Sequence, residues 1–186
     1  MKSAYEIAME RAEKLYDDEQ EENSLEIREN LKKIMGPFFK GEMDAEGLWH
    51  ELKDEKDTVL VEAQLMLVES IGLRNSSDQI RRRKEAVVAV DSLRESGKSS
   101  YFEKAFTQAE SLQQQYETQK KQLDKQLRQH LQNAQGADNP LAAASNDDNR
   151  MNNQMKQQLA EKVSEFQRNF NKRFDKLINE IKEEIK

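Results

Sequence analysis

The densest group of chemically capable side chains in the sequence is a basic cluster, Arg81-Arg82-Arg83-Lys84. Guanidinium and ammonium groups bind phosphate, so such a cluster could contact RNA, another anion or an acidic protein surface. Successive residues of a helix point about 100° apart, however, so these side chains do not form one flat basic face. The chain is also acidic, with a net charge of −6. We therefore expect the cluster to pair within the chain or to face solvent, with nucleic-acid contact as the alternative.

The two histidines, His50 and His130, are the next candidates for chemistry. A di-iron helical bundle needs a glutamate three residues before each liganding histidine. Gly47 and Leu127 occupy those positions, which excludes that type of site. His50 stands between Trp49 and Glu51, and an unusual site at these three residues is the one enzymatic alternative. His130 falls near the apolar seam of a predicted helix, where its charge could respond to pH.

No constellation for catalysis or cofactor binding is recognisable in the sequence. The six glycines are scattered, and none forms a Walker or dinucleotide-binding pattern. The chain has no cysteine, which excludes disulfides, thiolate metal sites and a cysteine nucleophile. We predict no catalytic residue, no metal and no cofactor, and we expect a protein that is not an enzyme.

The elements that carry these residues are helices, and the clearest is at the C-terminal end. One apolar side chain recurs at every third or fourth position between polar neighbours, which predicts a long helix with a single apolar stripe. The stripe runs through Met151, Met155, Leu159, Val163, Phe166, Phe170, Phe174, Leu177, Ile181 and Ile185. Because such a stripe must be covered, it indicates an interaction protein. We expect the partner-binding anchor strip to be Phe166, Phe170, Phe174, Leu177, Ile181 and Ile185.

A second long helix is predicted immediately before this one, over residues 100–134. Apolar residues recur there at heptad spacing, at Phe102, Ala109, Tyr116 and Leu123. Residues 135–149 contain glycine, proline, asparagine and aspartate, which is typical of a flexible turn. The sequence therefore predicts a long antiparallel, coiled-coil-like helical hairpin over residues 99–186. Its helices, 100–134 and 150–185, would pair within the chain, with a second copy or with a different protein.

Residues 1–98 are predicted to form a bundle of short helices around a buried central helix at residues 58–73. A strand over residues 58–61 is the alternative, because that run is rich in β-branched residues. A first helix is expected over residues 3–17. A second is expected to end at Gly36-Pro37, because proline removes a backbone donor and clashes with the preceding turn. Together with the hairpin, these elements make the predicted fold all-α.

Two segments carry a resemblance to a known group of proteins. They are KSAYEIAMERAEKL at residues 2–15 and FFKGEMDAEGLWHEL at residues 38–52. They resemble the opening of small uncharacterised bacterial proteins that begin with a K-S-A-x-E-I-A-x-E-x-A helix. The resemblance covers about the first third of the chain. It implies a bacterial, cytoplasmic, all-α protein with no assigned activity.

The segments that could direct the chain to a membrane lack the required composition. The N-terminus carries charges where a secretion signal has its apolar core. The longest apolar stretch, residues 59–73, is interrupted by polar residues and is too short to cross a bilayer. We expect a cytoplasmic protein that acts as a non-enzymatic scaffold, adaptor or regulatory subunit. The alternative is an RNA- or ribosome-associated factor that uses Arg81, Arg82, Arg83 and Lys84.

Overall fold

The computed structural model describes residues 24–135 and 146–186, and the helix predicted over residues 3–17 lies outside them. Every regular element of the described part is an α-helix, which confirms the all-α prediction. The helices are α1 (residues 24–40), α2 (Ala45–Leu52), α3 (Asp57–Glu69), α4 (Ser77–Arg94), α5 (Ser99–Gln135) and α6 (Asn146–Ile185).

Helix α1 passes through Gly36-Pro37 and ends at Lys40, so the predicted end at Gly36-Pro37 is wrong. Pro37 lies in the last turn of the helix, where its missing N–H removes at most one backbone hydrogen bond. The chain then turns at Gly41, whose φ of +87° is the left-handed conformation that commonly ends a helix. The extra turn places Phe38 in the core, where it is only 2% exposed.

Helix α3 lies in the middle of the core, as predicted for residues 58–73, and the alternative of a strand over residues 58–61 is wrong. The helix ends one turn early, at Glu69. The N–H of Gly72 donates to the side chain of Asn75 over 2.6 Å. This local turn replaces the last predicted helical turn, since an asparagine side chain competes well with helical hydrogen bonds.

The starts of α2 and α4 follow the capping residues in the sequence. Asp44 accepts a hydrogen bond from the N–H of Gly47 over 2.8 Å, and α2 then buries Leu48 and Leu52. Ser76 and Gln79 form a reciprocal capping box at the start of α4. Such caps satisfy N–H groups that have no partner inside the helix.

The hydrophobic core is continuous across residue 98, where the predicted boundary between bundle and hairpin lies. Helix α4 packs on α2, α3 and α5, and α6 packs on α3 and α5. The hairpin helices contribute these fully or nearly fully buried side chains: Phe102, Ala105, Phe106, Ala109, Leu112, Tyr116, Phe170, Phe174, Ile181 and Ile185. The first half of α5 and the second half of α6 therefore belong to the body of the protein.

Candidate interaction surfaces

The four side chains of the basic cluster point in different directions and make separate contacts. Arg82 donates to the carbonyls of Phe38 and Met43, over 3.0 and 2.9 Å, and its guanidinium lies 5.2 Å from the centre of the Phe38 ring. Those carbonyls lie at and beyond the C-terminal end of α1, where backbone acceptors lack helical partners. Arg82 thus ties the end of α1 to α4.

Arg83 and Lys84 are also engaged within the chain. Arg83 donates to the Ser70 hydroxyl over 2.6 Å and to the Gln79 carbonyl over 3.0 Å. Burial, and then repulsion from Arg82, lowers the pKa of Arg83 below the ordinary arginine value. Lys84 forms an ion pair of 3.7 Å with Glu110 on α5.

Arg81 is the exposed member of the cluster. Its side chain is 59% exposed and pairs with Asp78 over 2.9 Å. Arg82, Arg83 and Lys84 thus make contacts within the chain, and nucleic-acid contact by the cluster stays a prediction. In the described structure Arg81, Arg82, Arg83 and Lys84 do not form a joint surface for a polyanion.

The predicted anchor strip lies against the body. Phe170, Phe174, Ile181 and Ile185 are at most 4% exposed, while Phe166 and Leu177 are partly buried against the same core. The geometry indicates that these side chains hold α6 on α3 and α5. Their role in partner binding stays a prediction, and it would require α6 to separate from the body.

Among the side chains that the structure describes, three aromatic rings mark the point where the buried core between α5 and α6 ends. Tyr116 stacks on Phe166 with 5.5 Å between ring centres, and it meets Phe170 edge-on at 5.5 Å. Phe166 and Phe170 are themselves 5.0 Å apart. We call these three residues the aromatic cluster. Offset and edge-on pairs of this kind add stabilisation beyond the area they bury.

Beyond the aromatic cluster, α5 and α6 continue as a two-helix arm. We define the arm as residues 117–135 of α5 and 146–165 of α6. At 1.5 Å per residue, each of its helices adds about 30 Å beyond the cluster. Residues 117–126 are exposed except for Glu117 and Leu123, which are partly buried. The arm therefore extends past the packed body.

Two basic side chains bind the carbonyl groups in the last turn of α6. The apolar stripe of α6 did not predict these contacts. Arg94 donates to the Ile185 carbonyl over 2.9 Å, and Lys98 donates to the Glu184 carbonyl over 2.6 Å. Positive side chains are favoured at a helix C-terminus, because its last carbonyls carry a partial negative charge. We call Arg94 and Lys98 the C-terminal clamp.

Arg94 is the better connected half of the clamp. It also donates to the Gln64 side chain over 2.7 Å and pairs with Asp57 over 2.9 Å. Gln64 is fully buried and donates in turn to the Val87 carbonyl over 3.0 Å. One arginine of α4 thus joins two positions on α3 to the last turn of α6.

A chain of ion pairs connects α1, α3 and α6 on another side of the body. Arg28 lies 2.7 Å from Glu62 and 3.1 Å from Glu69, and Lys182 lies 2.9 Å from Glu69. Burial would raise the pKa of Glu69, but hydrogen bonds from Lys182 and Arg28 outweigh it and hold that pKa below its ordinary value. Glu69 is therefore the shared anion of two cations.

The buried carboxylate of Asp91 organises the turn between α4 and α5. It is 1% exposed and accepts hydrogen bonds from the hydroxyls of Ser96 and Ser99. Glu95 and Gly97 in this turn have φ values of +53° and +72°. Sequence reasoning did not identify this role of Asp91.

The histidine candidates do not form a site in the described residues. His50 is exposed, and its ring meets Trp49 edge-on at 5.1 Å between ring centres. The side chain of His130 lies outside the described part. Among the residues that were searched, no group of three or more histidines, cysteines, aspartates or glutamates could hold a metal ion.

An apolar groove lies between α1 and α3. In the described residues, Leu25 and Phe39 are the large hydrophobic side chains that stay exposed, at 65% and 37%. Both line this groove together with Met66, and its other lining residues are polar or charged: Arg28, Glu29, Lys32, Glu69 and Ser70. Single exposed apolar residues are normal on a protein surface, but two along one groove suggest a docking surface.

Comparisons with known proteins complete the description of these surfaces. In the described part of the chain, no helix combines the length and apolar character needed to cross a membrane. No curated protein and no solved structure matched the chain. The model of DUF6657, described as a family of unknown function, matches residues 46–186. This range contains α3 to α6, the C-terminal clamp and the arm, and the chain belongs to this uncharacterised family.

Proposed function

We propose that the protein is a non-enzymatic scaffold or adaptor whose arm binds a second copy of the chain. One observation carries this proposal. Among the side chains that the structure describes, the buried core ends at the aromatic cluster, while both helices of the hairpin continue past it. A two-helix extension adds little to the stability of the body, so binding outside the body is the use that its geometry supports best.

The sequence of the arm suits pairing with other helices. Residues 117–135 carry Leu123, Leu127 and Leu131, and residues 146–165 carry Met151, Met155, Leu159 and Val163. Each helix of the arm thus has a narrow apolar row. Two helices alone cover only one side of such rows, whereas bundles of four helices close around them completely. A second arm would supply the two missing helices.

The alternative function, an RNA- or ribosome-associated factor, needs the basic cluster to face solvent. Arg82, Arg83 and Lys84 instead bind groups of the same chain. A phosphate backbone would have to displace those contacts, and the net charge of −6 opposes its approach. The arm therefore has the stronger physical support.

The test is light scattering coupled to size exclusion over a wide range of concentrations. We expect a dimer whose fraction rises with concentration. Leu123→Glu should weaken it, because a charge would enter the apolar row, while Gln122→Glu is the matched control. Gln122 is exposed and adjacent, and its substitution introduces the same charge.

Far-UV circular dichroism of both variants should match the wild type, since the body does not include either position. A monomer at every concentration would overturn self-association. A dimer that survives Leu123→Glu would place the interface elsewhere.

A further inference from the structure

Two segments of the surface carry strong and opposite charge. Residues 118–128 of α5 and 162–173 of α6 together hold eight basic and two acidic side chains. Residues 42–57, from the turn before α2 to the start of α3, hold seven acidic and two basic side chains. Concentrated charge of one sign steers the approach of a molecule of the other sign, so each segment is a candidate interaction surface.

The basic side chains surround the place where the arm leaves the body. The Lys120 ammonium lies 5.8 Å from the centre of the Tyr116 ring, and the Arg173 guanidinium lies 5.4 Å from that of Phe170. The aromatic cluster thus brings the basic residues of α5 and α6 together. All eight are exposed, and none forms an ion pair with a described residue. We call them the basic collar: Lys120, Lys121, Lys125, Arg128, Lys162, Arg168, Lys172 and Arg173.

The acidic side chains lie around α2. Asp57 pairs with Arg94, but the other six are exposed and form no ion pair within the described part of the chain. We call these six residues the acidic patch: Glu42, Asp44, Glu46, Glu51, Asp54 and Glu55.

The two patches lie apart on the molecule. Ser77, at the start of α4, bonds to Gln113, so the α5 part of the collar begins about 10 Å beyond this end of α4. Trp49 of α2 bonds to Ser92, which lies about 22 Å from Ser77 along α4. The middle of α2 is therefore about 30 Å from that part of the collar along the helices.

We propose that the basic collar of one copy binds the acidic patch of a second copy. Lys121, Lys125 and Arg128 share one face of α5 over about 10 Å, because they follow one another at intervals of four and three residues. Helix α2 has eight residues and is about 12 Å long, so the two helices match in length. This contact uses other residues than the apolar rows of the arm, and it joins copies into larger assemblies.

A second copy fits these charges better than a nucleic acid does. The net charge of −6 opposes the approach of a polyanion. A polyanion would also neutralise the collar alone and leave the acidic patch without a partner. A second copy neutralises the collar of one molecule and the patch of another in the same contact.

Sedimentation velocity of the intact chain at two salt concentrations tests this inference. Between about 0.02 M and 0.5 M NaCl the screening length falls from about 20 Å to about 4 Å. We expect larger species at low salt and their dissociation at high salt. A dimer that persists at high salt reports the apolar contact of the arm, so the two proposals can fail independently.

Charge reversal identifies the two surfaces. The collar variant carries three substitutions: Lys121→Glu, Lys125→Glu and Arg128→Glu. The patch variant carries three others: Glu51→Lys, Asp54→Lys and Glu55→Lys. Each variant alone should lose the salt-sensitive association by about tenfold or more, because like charges then face each other. The two variants mixed in equal amounts should associate again, because an acidic collar then faces a basic patch.

The matched control reverses three exposed lysines outside the collar: Lys32→Glu, Lys33→Glu and Lys104→Glu. It changes the net charge as much as the collar variant does, and it should retain the association. Far-UV circular dichroism of all variants should match the wild type, since every substituted side chain is exposed.

Three results would overturn the inference: no salt-sensitive association of the wild type, equal loss in the control, or no association of the mixed variants. A labelled single-stranded RNA provides the remaining comparison. RNA binding that the collar variant loses, without self-association of the wild type, would assign the collar to nucleic acid and would overturn the inference as well.

Discussion

Replacement of Arg94 by methionine is the sharpest test of the C-terminal clamp. Methionine keeps much of the apolar stem of the side chain and removes every donor. The Arg94 side chain is 10% exposed, so water has little access to the groups that it would leave behind. Those groups are the Gln64 side-chain oxygen and the Ile185 carbonyl.

The magnitude follows from what each lost contact costs. A buried acceptor without a partner costs about 1–3 kcal/mol, and Arg94→Met leaves two of them. The Asp57 carboxylate is 67% exposed. Losing that exposed ion pair adds only about 0–1 kcal/mol. We therefore expect the free energy of unfolding to fall by roughly 2–7 kcal/mol.

Urea denaturation followed by circular dichroism measures this change. Arg81→Met is the matched control, because Arg81 is exposed and pairs only with exposed Asp78. Its cost should stay within about 0.5 kcal/mol. The double variant Arg94→Met with Gln64→Met should lose less than the sum of the two single variants, since the orphaned Gln64 oxygen is then absent. A cost below about 1 kcal/mol for Arg94→Met would refute the clamp as a stabilising device.

Two further predictions concern the packing and the charges of α6. Phe174→Ala should lower the free energy of unfolding by about 3–5 kcal/mol, because it opens a cavity in the core. Phe39→Ala is the control, since Phe39 is exposed, and it should lower the free energy of unfolding far less in the same urea denaturation experiment. The pKa of Glu69 in the folded protein lies below its ordinary value of 4.5. The ionised carboxylate therefore stabilises the fold above pH 4.5, and this stabilisation is lost as the pH falls through the pKa of the folded state. The stability difference between wild type and Glu69→Gln should therefore shrink below about pH 4.5 in urea titrations; a difference independent of pH would contradict this role.

The sequence predicted the helices because their periodicity is local. Apolar residues at intervals of three and four identified α6, and a run that is apolar on most faces identified α3. The caps at Asp44 and Ser76 set the starts of α2 and α4. The end of α1 was mispredicted, because the cost of Pro37 depends on its distance from the helix end and on the burial of Phe38. Both facts belong to the tertiary structure.

The contacts of the candidate surfaces were less accessible to sequence reasoning. The stripe of α6 indicated that something must cover it, but not that α3 and α5 do so. Arg94 and Gln64 looked like ordinary polar residues on helices, since their partners lie far along the chain. Helical geometry predicted that the arginine side chains of the basic cluster point in different directions. Their separate contacts agree with this prediction.

The clamp also has a kinetic consequence. It joins residues 91 positions apart, Arg94 and Ile185, so α6 can dock only after a long loop closes. Such non-local contacts slow folding, whereas α2, α3 and α4 meet through short connections. A chain caught before this closure exposes the rings of Phe170 and Phe174 on α6, and in this interval it is prone to aggregate.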